Sequence, residues 1–335
     1  MKAAFLKEPG VITIEEVKKP SPGPGEVLVK IRSVGVCGSD VHYYRHGRIG
    51  SYVVQKPLIL GHECSGEVVE LGPGVKTLEV GDRVALEPGI PCRKCRFCKT
   101  GRYNLCPDVV FMATPPVDGA FVEFVAFPED FAFRLPDNVS FDEGALIEPL
   151  AVGIYSMERA GVEPGESVVI LGAGPIGLLT LQAARAYGAN PVVITDASAF
   201  RLSVARSLGA DLAVNVSEEK AIAAILEYLG AEADVVVEAA GAPAAIQETW
   251  KLVRRGGRVV FIGLPAQDIV GYSFAELSRK ELDILGIFRY ANVYPRAIHM
   301  VARGIINLKA LITHHFPLEE VQAALELADR GKEEA

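Results

Sequence analysis

The stretch that decides the fold runs from Glu166 to Asp196 and reads ESVVILGAGPIGLLTLQAARAYGANPVVITD. It predicts a buried strand, a turn containing Gly172, Gly174 and Gly177, a helix, and a second strand. The first glycine permits the tight turn, the second lets the backbone approach a pyrophosphate, and the third allows close packing of the helix. The helix N-terminus adds unpaired N–H donors and positive potential. The stretch therefore predicts a dinucleotide-binding βαβ unit.

The residues that follow this turn bear on the choice of dinucleotide. Asp196 ends the second strand, where a carboxylate binds the adenosine ribose hydroxyls and repels a 2′-phosphate. Arg201 indicates the opposite, because a nearby arginine can accommodate that phosphate. An isolated glycine motif could also be a plain turn, but the flanking strand, the helix and the acid about twenty residues on favour a cofactor. We predict NAD.

Apolar strand runs continue downstream, at 192–195, 235–238 and 259–262, and alternate with Ala-rich helical stretches. Strands that are apolar throughout predict a parallel sheet covered on both faces. The first 150 residues instead contain short strand-like runs separated by glycine and proline, as in PSPGPG at 20–25. An amphipathic helix is predicted after Pro317. The chain is therefore predicted to be an α/β protein in which a β-rich domain precedes a doubly wound one.

Composition excludes several classes of partner. The 335 residues are 50% hydrophobic and 23% charged, and their formal net charge is −8. An acidic balance argues against nucleic acid and anionic membrane surfaces, which select for basic protein surface. No stretch approaches the ~20 apolar residues that a bilayer requires. The start MKAAFLKEPG contains no apolar run long enough for a signal peptide, so we expect a cytoplasmic protein.

Four of the six cysteines fall together, at Cys92, Cys95, Cys98 and Cys106. This spacing lets one loop wrap four thiolates around a tetrahedral ion. Four sulfur ligands close the coordination shell and leave no position for chemistry, which predicts a structural zinc. The alternatives are an iron–sulfur cluster or reactive surface thiols.

A second set of metal-ligand residue types is dispersed: Cys37, His62, Glu63 and Glu148. Thiolate, imidazole and carboxylate form a credible catalytic zinc set, with the fourth position left to water or substrate. Spacing alone also allows a plainer interpretation, in which the cysteine and histidine fill the core and Glu148 is a helix-end carboxylate. Cys64 is interpreted as a packed thiol.

Several motifs resemble those of the zinc-dependent medium-chain alcohol dehydrogenases. GHECSGEVVELGPGV at 61–75 is similar to the zinc signature of that family, and LGAGPIG at 171–177 is similar to its nucleotide turn. Five further stretches resemble its polyol branch, the sorbitol (L-iditol) type. They are CGSDVHYYRHGRIG at 37–50, GRYNLCP at 101–107, ATPPVDGAF at 113–121, EGALIEPLAVGI at 143–154 and IFRYANVYP at 287–295.

The resemblance implies a domain organisation. Residues 1–150 would form a GroES-like catalytic domain that includes the structural-zinc lobe, and residues 151–290 a Rossmann domain that binds NAD. Residues 291–335 would return to the catalytic domain; members of the family usually continue into one more strand after the position of GKEEA. The family forms dimers or tetramers, which implies a homo-oligomer.

The resemblance also implies residue roles. Cys37, His62 and Glu63 would be the ligands of a catalytic zinc, and Glu148 would ligate directly or stand beside a water. Ser39 and His42 would pass a proton outward. Contacts to the polyol would come from Tyr43, Phe111, Thr114, Glu148, Arg289 and Tyr290. Contacts to NAD would come from Gly172, Gly174, Ile176, Gly177, Asp196, Arg201, Ile262, Gly263, Leu264, Ile287, Phe288 and Arg289.

The function implied is zinc-dependent oxidation of a sugar alcohol, of the sorbitol, xylitol or iditol type, to a ketose, with hydride transfer to NAD. One alternative is another zinc-dependent secondary-alcohol dehydrogenase, such as a threonine or butanediol dehydrogenase. A different class of alternative is a catalytically idle zinc and NAD binder that acts structurally or as a sensor.

Overall fold

The chain folds into two units. The first comprises Met1–Glu148, Tyr294–Gly304 and the segment from Leu311 onward, and the second comprises Pro149–Val293 and Ile305–Ala310. The computed structural model describes residues 1–218, 220–265 and 269–331. The end of the predicted return segment, 332–335, lies outside these ranges.

The described part of the first unit, residues 1–148, 294–304 and 311–331, contains twelve strands. They are β1 (Lys2–Glu8), β2 (Val11–Glu16), β3 (Glu26–Gly35), β4 (Arg48–Ile49), β5 (Tyr52–Val53), β6 (Leu58–Ile59), β7 (Glu63–Leu71), β8 (Arg83–Leu86), β9 (Gly89–Ile90), β10 (Val110–Phe111), β11 (Phe124–Pro128) and β12 (Ala132–Arg134). The main sheet has the order β11-β3-β7-β8-β12, and β2-β1-β6 form a smaller sheet. Every pairing in these two sheets is antiparallel.

The helices alternate with strands mainly in the second half of the chain. They are α1 (Gly38–His46), α2 (Arg96–Lys99), α3 (Phe141–Ala145), α4 (Ile147–Ala160), α5 (Pro175–Ala186), α6 (Ala199–Ser207), α7 (Ala221–Leu229), α8 (Pro243–Leu252), α9 (Phe274–Lys280), α10 (Tyr294–Ala302) and α11 (Val321–Arg330). Short 3₁₀ turns lie at Tyr103–Leu105, Glu129–Phe131, Lys309–Leu311 and Leu318–Glu320. Among the described residues, no helix has both the length and the apolar character needed to cross a membrane.

The second unit is built on a six-stranded parallel sheet. Its strands are β13 (Val168–Leu171), β14 (Val192–Asp196), β15 (Leu212–Asn215), β16 (Ala233–Glu238), β17 (Val253–Phe261) and β18 (Asp283–Gly286). The order β15-β14-β13-β16-β17-β18 is that of a Rossmann fold, with the ligand crevice at the carboxyl ends of β13 and β16. The central strands are buried on both faces, as their continuous apolar runs predict. The predicted fold class is confirmed.

The C-terminal helix packs within the first unit. After Pro317 the predicted helix begins as a 3₁₀ turn and becomes α11 at Val321. Arg45 of α1 forms a 2.6 Å ion pair with Asp329 of α11, and the hydroxyl of Tyr44 donates to Glu326. The segment 305–310, by contrast, belongs to the second unit.

Candidate active site and metal centres

Three ligand-type side chains converge where β3 and β7 pair. Gly35 of β3 lies opposite Glu63 of β7 in the antiparallel register. Cys37 lies two residues beyond Gly35, and His62 immediately precedes Glu63. One ligand atom from each of Cys37, His62 and Glu63 lies within 4.8 Å of the other two. The strand register therefore joins residues that are distant in sequence.

Gly35 makes this approach possible. The Glu63 carboxylate occupies the space that a Cβ atom at position 35 would fill. Any larger residue at position 35 would displace that carboxylate, so the requirement for glycine here is steric.

Asp40 was not anticipated as part of this site. It is fully buried, and its Oδ2 accepts a hydrogen bond of 3.2 Å from the Cys37 backbone N–H. Its Oδ1 accepts one of 3.0 Å from Gly61 and lies 3.6 Å from His62 Nδ1. One carboxylate therefore positions both segments that supply ligands. The available signal was an acid at the third position of a helix that starts after Cys37, which is a capping pattern.

The protonation of these groups fits a metal site. Burial and the Glu63 charge raise the pKa of the Cys37 thiol. Burial and the Glu148 charge raise the pKa of Glu63 to about 8. Burial works to lower the pKa of His62, but Asp40 and Cys37 outweigh it and hold that pKa well above its usual value. A dication would displace the protons that these groups hold, and thiolate, imidazole and carboxylate are zinc ligands. The residues fit zinc.

Glu148 and Phe111, two other predicted residues of the first unit, lie near this set. Glu148 is buried in the first turn of α4, outside the group of three, and its charge acts on Glu63. The ring of Phe111 lies 5.6 Å from the ring of His62, between centroids. Tyr43 is buried on α1, and half-buried Thr114 donates its backbone N–H to the Phe111 carbonyl.

The two predicted proton-transfer residues lie on the same helix. Ser39 is half-buried in the first turn of α1, and His42 is exposed one turn further along. Burial and the neighbouring His46 lower the pKa of His42. His42 therefore favours its neutral form, in which one ring nitrogen can accept a proton.

The four clustered cysteines form a compact lobe in the first unit. The sulfur atoms of Cys95 and Cys98 are 3.4 Å apart, and those of Cys92 and Cys98 are 4.0 Å apart. Four sulfurs at ~2.3 Å from one tetrahedral ion would be about 3.8 Å from one another. An iron–sulfur cluster would hold them farther apart, because each thiolate binds a different iron. The spacing therefore fits a single zinc ion.

Backbone donors support the charge on these sulfurs. The N–H of Lys94 and then that of Cys95 lower the pKa of Cys92 to about 7. Burial and the neighbouring sulfurs raise the pKa of Cys98 to about 12. Backbone N–H groups of Cys92, Cys95 and Cys98 each point at a sulfur of another cysteine in the set. A dication would offset two of the four negative charges that the thiolates carry.

The glycine turn of the second unit has the geometry that each glycine predicts. Gly172 has a φ of +108°, which favours glycine. A Cβ on Gly177 would collide with the Gly172 carbonyl, so only glycine lets α5 start this close to the turn. A Cβ on Gly174 would meet nothing within 4 Å, so the backbone there is open to a ligand. Ile176 follows, half-buried, in the first turn of α5.

Asp196 is held beside that turn. One carboxylate oxygen accepts the Ala173 N–H at 2.8 Å and the other accepts the Ser198 N–H at 2.8 Å. The carboxylate is therefore fixed at the carboxyl end of β14, with lone pairs left for ribose hydroxyls. Arg201 lies half-buried in α6, where its backbone N–H donates to Ser198.

The remaining predicted cofactor contacts follow β17 and β18. The backbone N–H groups of Ile262 and Gly263 donate to the Glu238 carbonyl, and that of Ile287 donates to the Phe261 carbonyl. Most of Leu264 and half of Phe288 are exposed. Arg289 has a φ of +55°, the left-handed conformation, and Tyr290 beside it is buried. These segments lie at the same edge of the sheet as the glycine turn.

Glu238 was also not anticipated. It is fully buried at the end of β16, and its Oε1 accepts hydrogen bonds from Ala240 at 3.0 Å and Gly241 at 2.8 Å. Its side chain also packs against Gly263. The signal was an acid that ends an otherwise apolar strand. Glu238 orders two loops at the crevice edge.

Comparison with known proteins identifies the family. Models of the alcohol dehydrogenase GroES-like domain and of the zinc-binding dehydrogenase domain match residues 23–137 and 175–303. The chain is 47% identical to sorbitol dehydrogenase of Bacillus subtilis (strain 168) over 335 residues, which are 100% of this chain and 95% of the relative. The chain belongs to the zinc-dependent medium-chain alcohol dehydrogenase family.

Two further relatives agree with this assignment. This zinc dehydrogenase is 49% identical to sorbitol dehydrogenase of Bos taurus over 326 residues, covering 96% of this chain and 91% of the relative. A crystal structure of an Escherichia coli oxidoreductase/dehydrogenase of unknown specificity is 40% identical and superposes with a TM-score of 0.95, covering 99% and 96% of the two chains. The predicted membership close to the sorbitol dehydrogenases is confirmed.

Some of the predicted site residues lie together in the structure, and others belong to different units. Cys37, His62 and Glu63 lie together, and the four cysteines form their own group. Arg289 and Tyr290 belong to the second unit, with the glycine turn and Asp196. The role of each residue stays a prediction.

Proposed function

We propose that this dehydrogenase oxidises a secondary alcohol of a sugar alcohol to a ketose and uses NAD as the acceptor. The observation that carries the proposal is the convergence of half-buried Cys37 with buried His62 and Glu63 in a group held by Asp40. The high identity to two sorbitol dehydrogenases supports the substrate class.

Three side chains would hold the catalytic zinc: Cys37, His62 and Glu63. When bound there, zinc acts as a Lewis acid that lowers the pKa of the substrate hydroxyl. Three protein ligands leave a fourth position open to substrate, whereas four would close the site. Glu148 lies outside the group of three but close enough to act on Glu63, which supports a role beside the open position.

The nucleotide would be held by the second unit. The open backbone at Gly174 and the N-terminus of α5 would receive the pyrophosphate, and Asp196 would accept the ribose hydroxyls. NAD accepts the hydride that leaves the substrate carbon. The fixed carboxylate of Asp196 would repel a 2′-phosphate, which favours NAD over NADP. Arg201 would then contact the adenosine part of NAD.

Polar groups would recognise the sugar alcohol, because every hydroxyl that enters a pocket loses water and needs a new hydrogen-bond partner. Candidates in the first unit are Tyr43, Thr114 and Glu148, with Phe111 as an apolar wall. Arg289 and Tyr290, which belong to the second unit, stay polyol contacts implied by the resemblance alone. The proton released from the hydroxyl would pass to Ser39 and then to His42, whose lowered pKa favours a vacant nitrogen at neutral pH.

An exposed edge strand and the cysteines support a homo-oligomer and a cytoplasmic location. β18 lies at an edge of the parallel sheet and is largely exposed, and Ile284 on it is 41% exposed. An exposed edge strand can pair with another chain, which supports a homo-oligomer. All six cysteines are free, which suits a reducing cytoplasm.

The proposal is tested by initial rates on sorbitol, xylitol, threonine and 2,3-butanediol, each with NAD and with NADP, together with metal counting. We expect sorbitol or xylitol to give the highest kcat/KM, with NAD preferred over NADP. Faster turnover of threonine or butanediol would reject the polyol assignment. NADH binding without turnover of any alcohol would reject catalysis.

A further inference from the structure

The second half of α1 presents two histidines side by side. His42 and His46 are four residues apart, a spacing that places both on one face of a helix. Their rings touch edge to face, with centroids 4.8 Å apart and an interplanar angle of 87°. Both side chains are exposed.

Neither imidazole forms a polar contact with the rest of the described protein. Within residues 1–218, 220–265 and 269–331, neither ring forms a hydrogen bond or an ion pair, and their mutual contact is their one aromatic contact. Each neutral ring therefore has a nitrogen lone pair facing solvent or its neighbour.

The helix that carries them is fixed from its other side. The Tyr44 hydroxyl shares its hydrogen between Glu326 at 3.2 Å and the Gly10 carbonyl at 3.0 Å, and Arg45 is paired with Asp329. Gly47 ends the helix in the left-handed conformation, and its N–H donates to the Tyr43 carbonyl. A rigid helix turn holds two ligands with little loss of backbone entropy on binding.

We propose that His42 and His46 form a further metal site, which binds a divalent transition ion such as Ni²⁺, Cu²⁺ or Zn²⁺ through one nitrogen of each imidazole. Imidazole is a good ligand for these ions, and two histidines at this spacing on a helix can bind one ion together. Water would fill the remaining positions, because both rings are exposed. The site is separate from the Cys37 set and from the four-cysteine lobe.

Occupation of this site would slow the dehydrogenase. The bound ion would occupy the nitrogen lone pair of His42, which would otherwise receive the proton of the substrate. This consequence rests on the proposed proton route, whereas the binding of the ion does not.

The test titrates the zinc-loaded enzyme with Ni²⁺ and counts bound nickel and zinc after equilibrium dialysis. The wild type should bind nickel without releasing zinc. His46→Gln should weaken that binding by about tenfold or more, since one of two imidazole ligands is lost. His299→Gln, at an exposed histidine on α10, is the matched control and should bind like the wild type.

Two results would overturn the site: equal nickel binding by His46→Gln and the wild type, or zinc release that matches nickel uptake. Rates with sorbitol are measured in parallel. Nickel should slow the wild type and leave His46→Gln nearly unaffected, each compared with its own rate without nickel. Nickel binding that depends on His46 but leaves the rate unchanged would establish the site and contradict the proton role of His42.

Discussion

The two sulfur-containing candidate metal sites of the first unit are built in opposite ways. Four cysteines from one loop, between 92 and 106, form the first. Cys37, His62 and Glu63 form the second, and they come from two segments that strand pairing brings together. The loop set is partly exposed, whereas His62 and Glu63 of the second set are buried.

The difference predicts a separate task for each ion. Four thiolates fill a tetrahedral shell and leave no room for substrate, so an ion in the loop site would stabilise the fold. Thiolate, imidazole and carboxylate leave one position open and donate less charge from sulfur, so the buried site can act on a hydroxyl. The loop ion should be retained tightly, and the buried ion should exchange more readily.

The largest effect is expected from the buried set. His62→Ala should lower kcat/KM by ~1000-fold or more, because several kcal/mol of transition-state stabilisation depend on the ion. Metal counting should find the loop zinc retained. His299→Ala, at an exposed histidine, should change neither the metal content nor the rate; a similar loss in that variant would show that the effect is unspecific.

Asp40→Asn should give the next largest effect. The substitution keeps the shape of the side chain but removes the charge beside His62 Nδ1. Loss of such a supporting partner costs about 10- to 100-fold in metal affinity or activity. Added zinc should restore part of the activity of this variant. Unchanged zinc affinity would mean that Asp40 only stabilises the start of α1.

Cys98→Ser should act on stability rather than on chemistry. Loss of one of four sulfur ligands should release the loop zinc and lower Tm by about 10 °C, because the binding energy of a structural zinc contributes to folding. At a temperature where the variant is folded, kcat with sorbitol should remain within about threefold of the wild type. Cys64→Ala removes a buried thiol outside both sets and should retain both ions. A large loss of kcat in Cys98→Ser would contradict the division of tasks.

The smallest effect concerns pH. Burial raises the pKa of Glu63 and of Glu87 to about 8, and the pKa of His62 is also raised. At pH values between the pKa of such a group in the unfolded chain and its higher pKa in the folded protein, the folded protein holds more protons than the unfolded chain. The free energy of unfolding therefore falls as pH rises through this range. Zinc bound by Cys37, His62 and Glu63 would displace the protons of those groups. Zinc-free enzyme should therefore lose a few degrees more of Tm than zinc-loaded enzyme between about pH 5.5 and about pH 8. If the Tm values of the zinc-free and zinc-loaded enzyme change equally with pH, the protonation assigned to Glu63 and His62 is contradicted.

Features set by local sequence were predictable. The glycine turn and the four-cysteine loop are encoded within short segments, so spacing alone indicates their geometry. The ligand set of the buried site required the resemblance, because the pairing of Gly35 with Glu63 depends on the register of two distant strands.

Other features depend on tertiary packing and left little trace in the sequence. An aspartate near a helix start is common on protein surfaces, so its sequence position does not reveal that Asp40 is fully buried. The left-handed φ of Arg289 is rare for a residue with a side chain, and no local pattern predicts it. Segment 305–310 lies in the second unit, where Asn307 exchanges two hydrogen bonds with Gln182 across 125 positions of sequence.

The most direct test of the division between the two sites is stepwise dialysis of the wild type against a mild chelator, with zinc per chain and sorbitol oxidation measured at each step. Activity should fall in proportion to the loss of the first zinc. The second zinc should stay bound, and the Tm of the protein should be retained. Restored zinc should restore the rate. Simultaneous loss of both ions, or full activity after the first ion has left, would contradict the account.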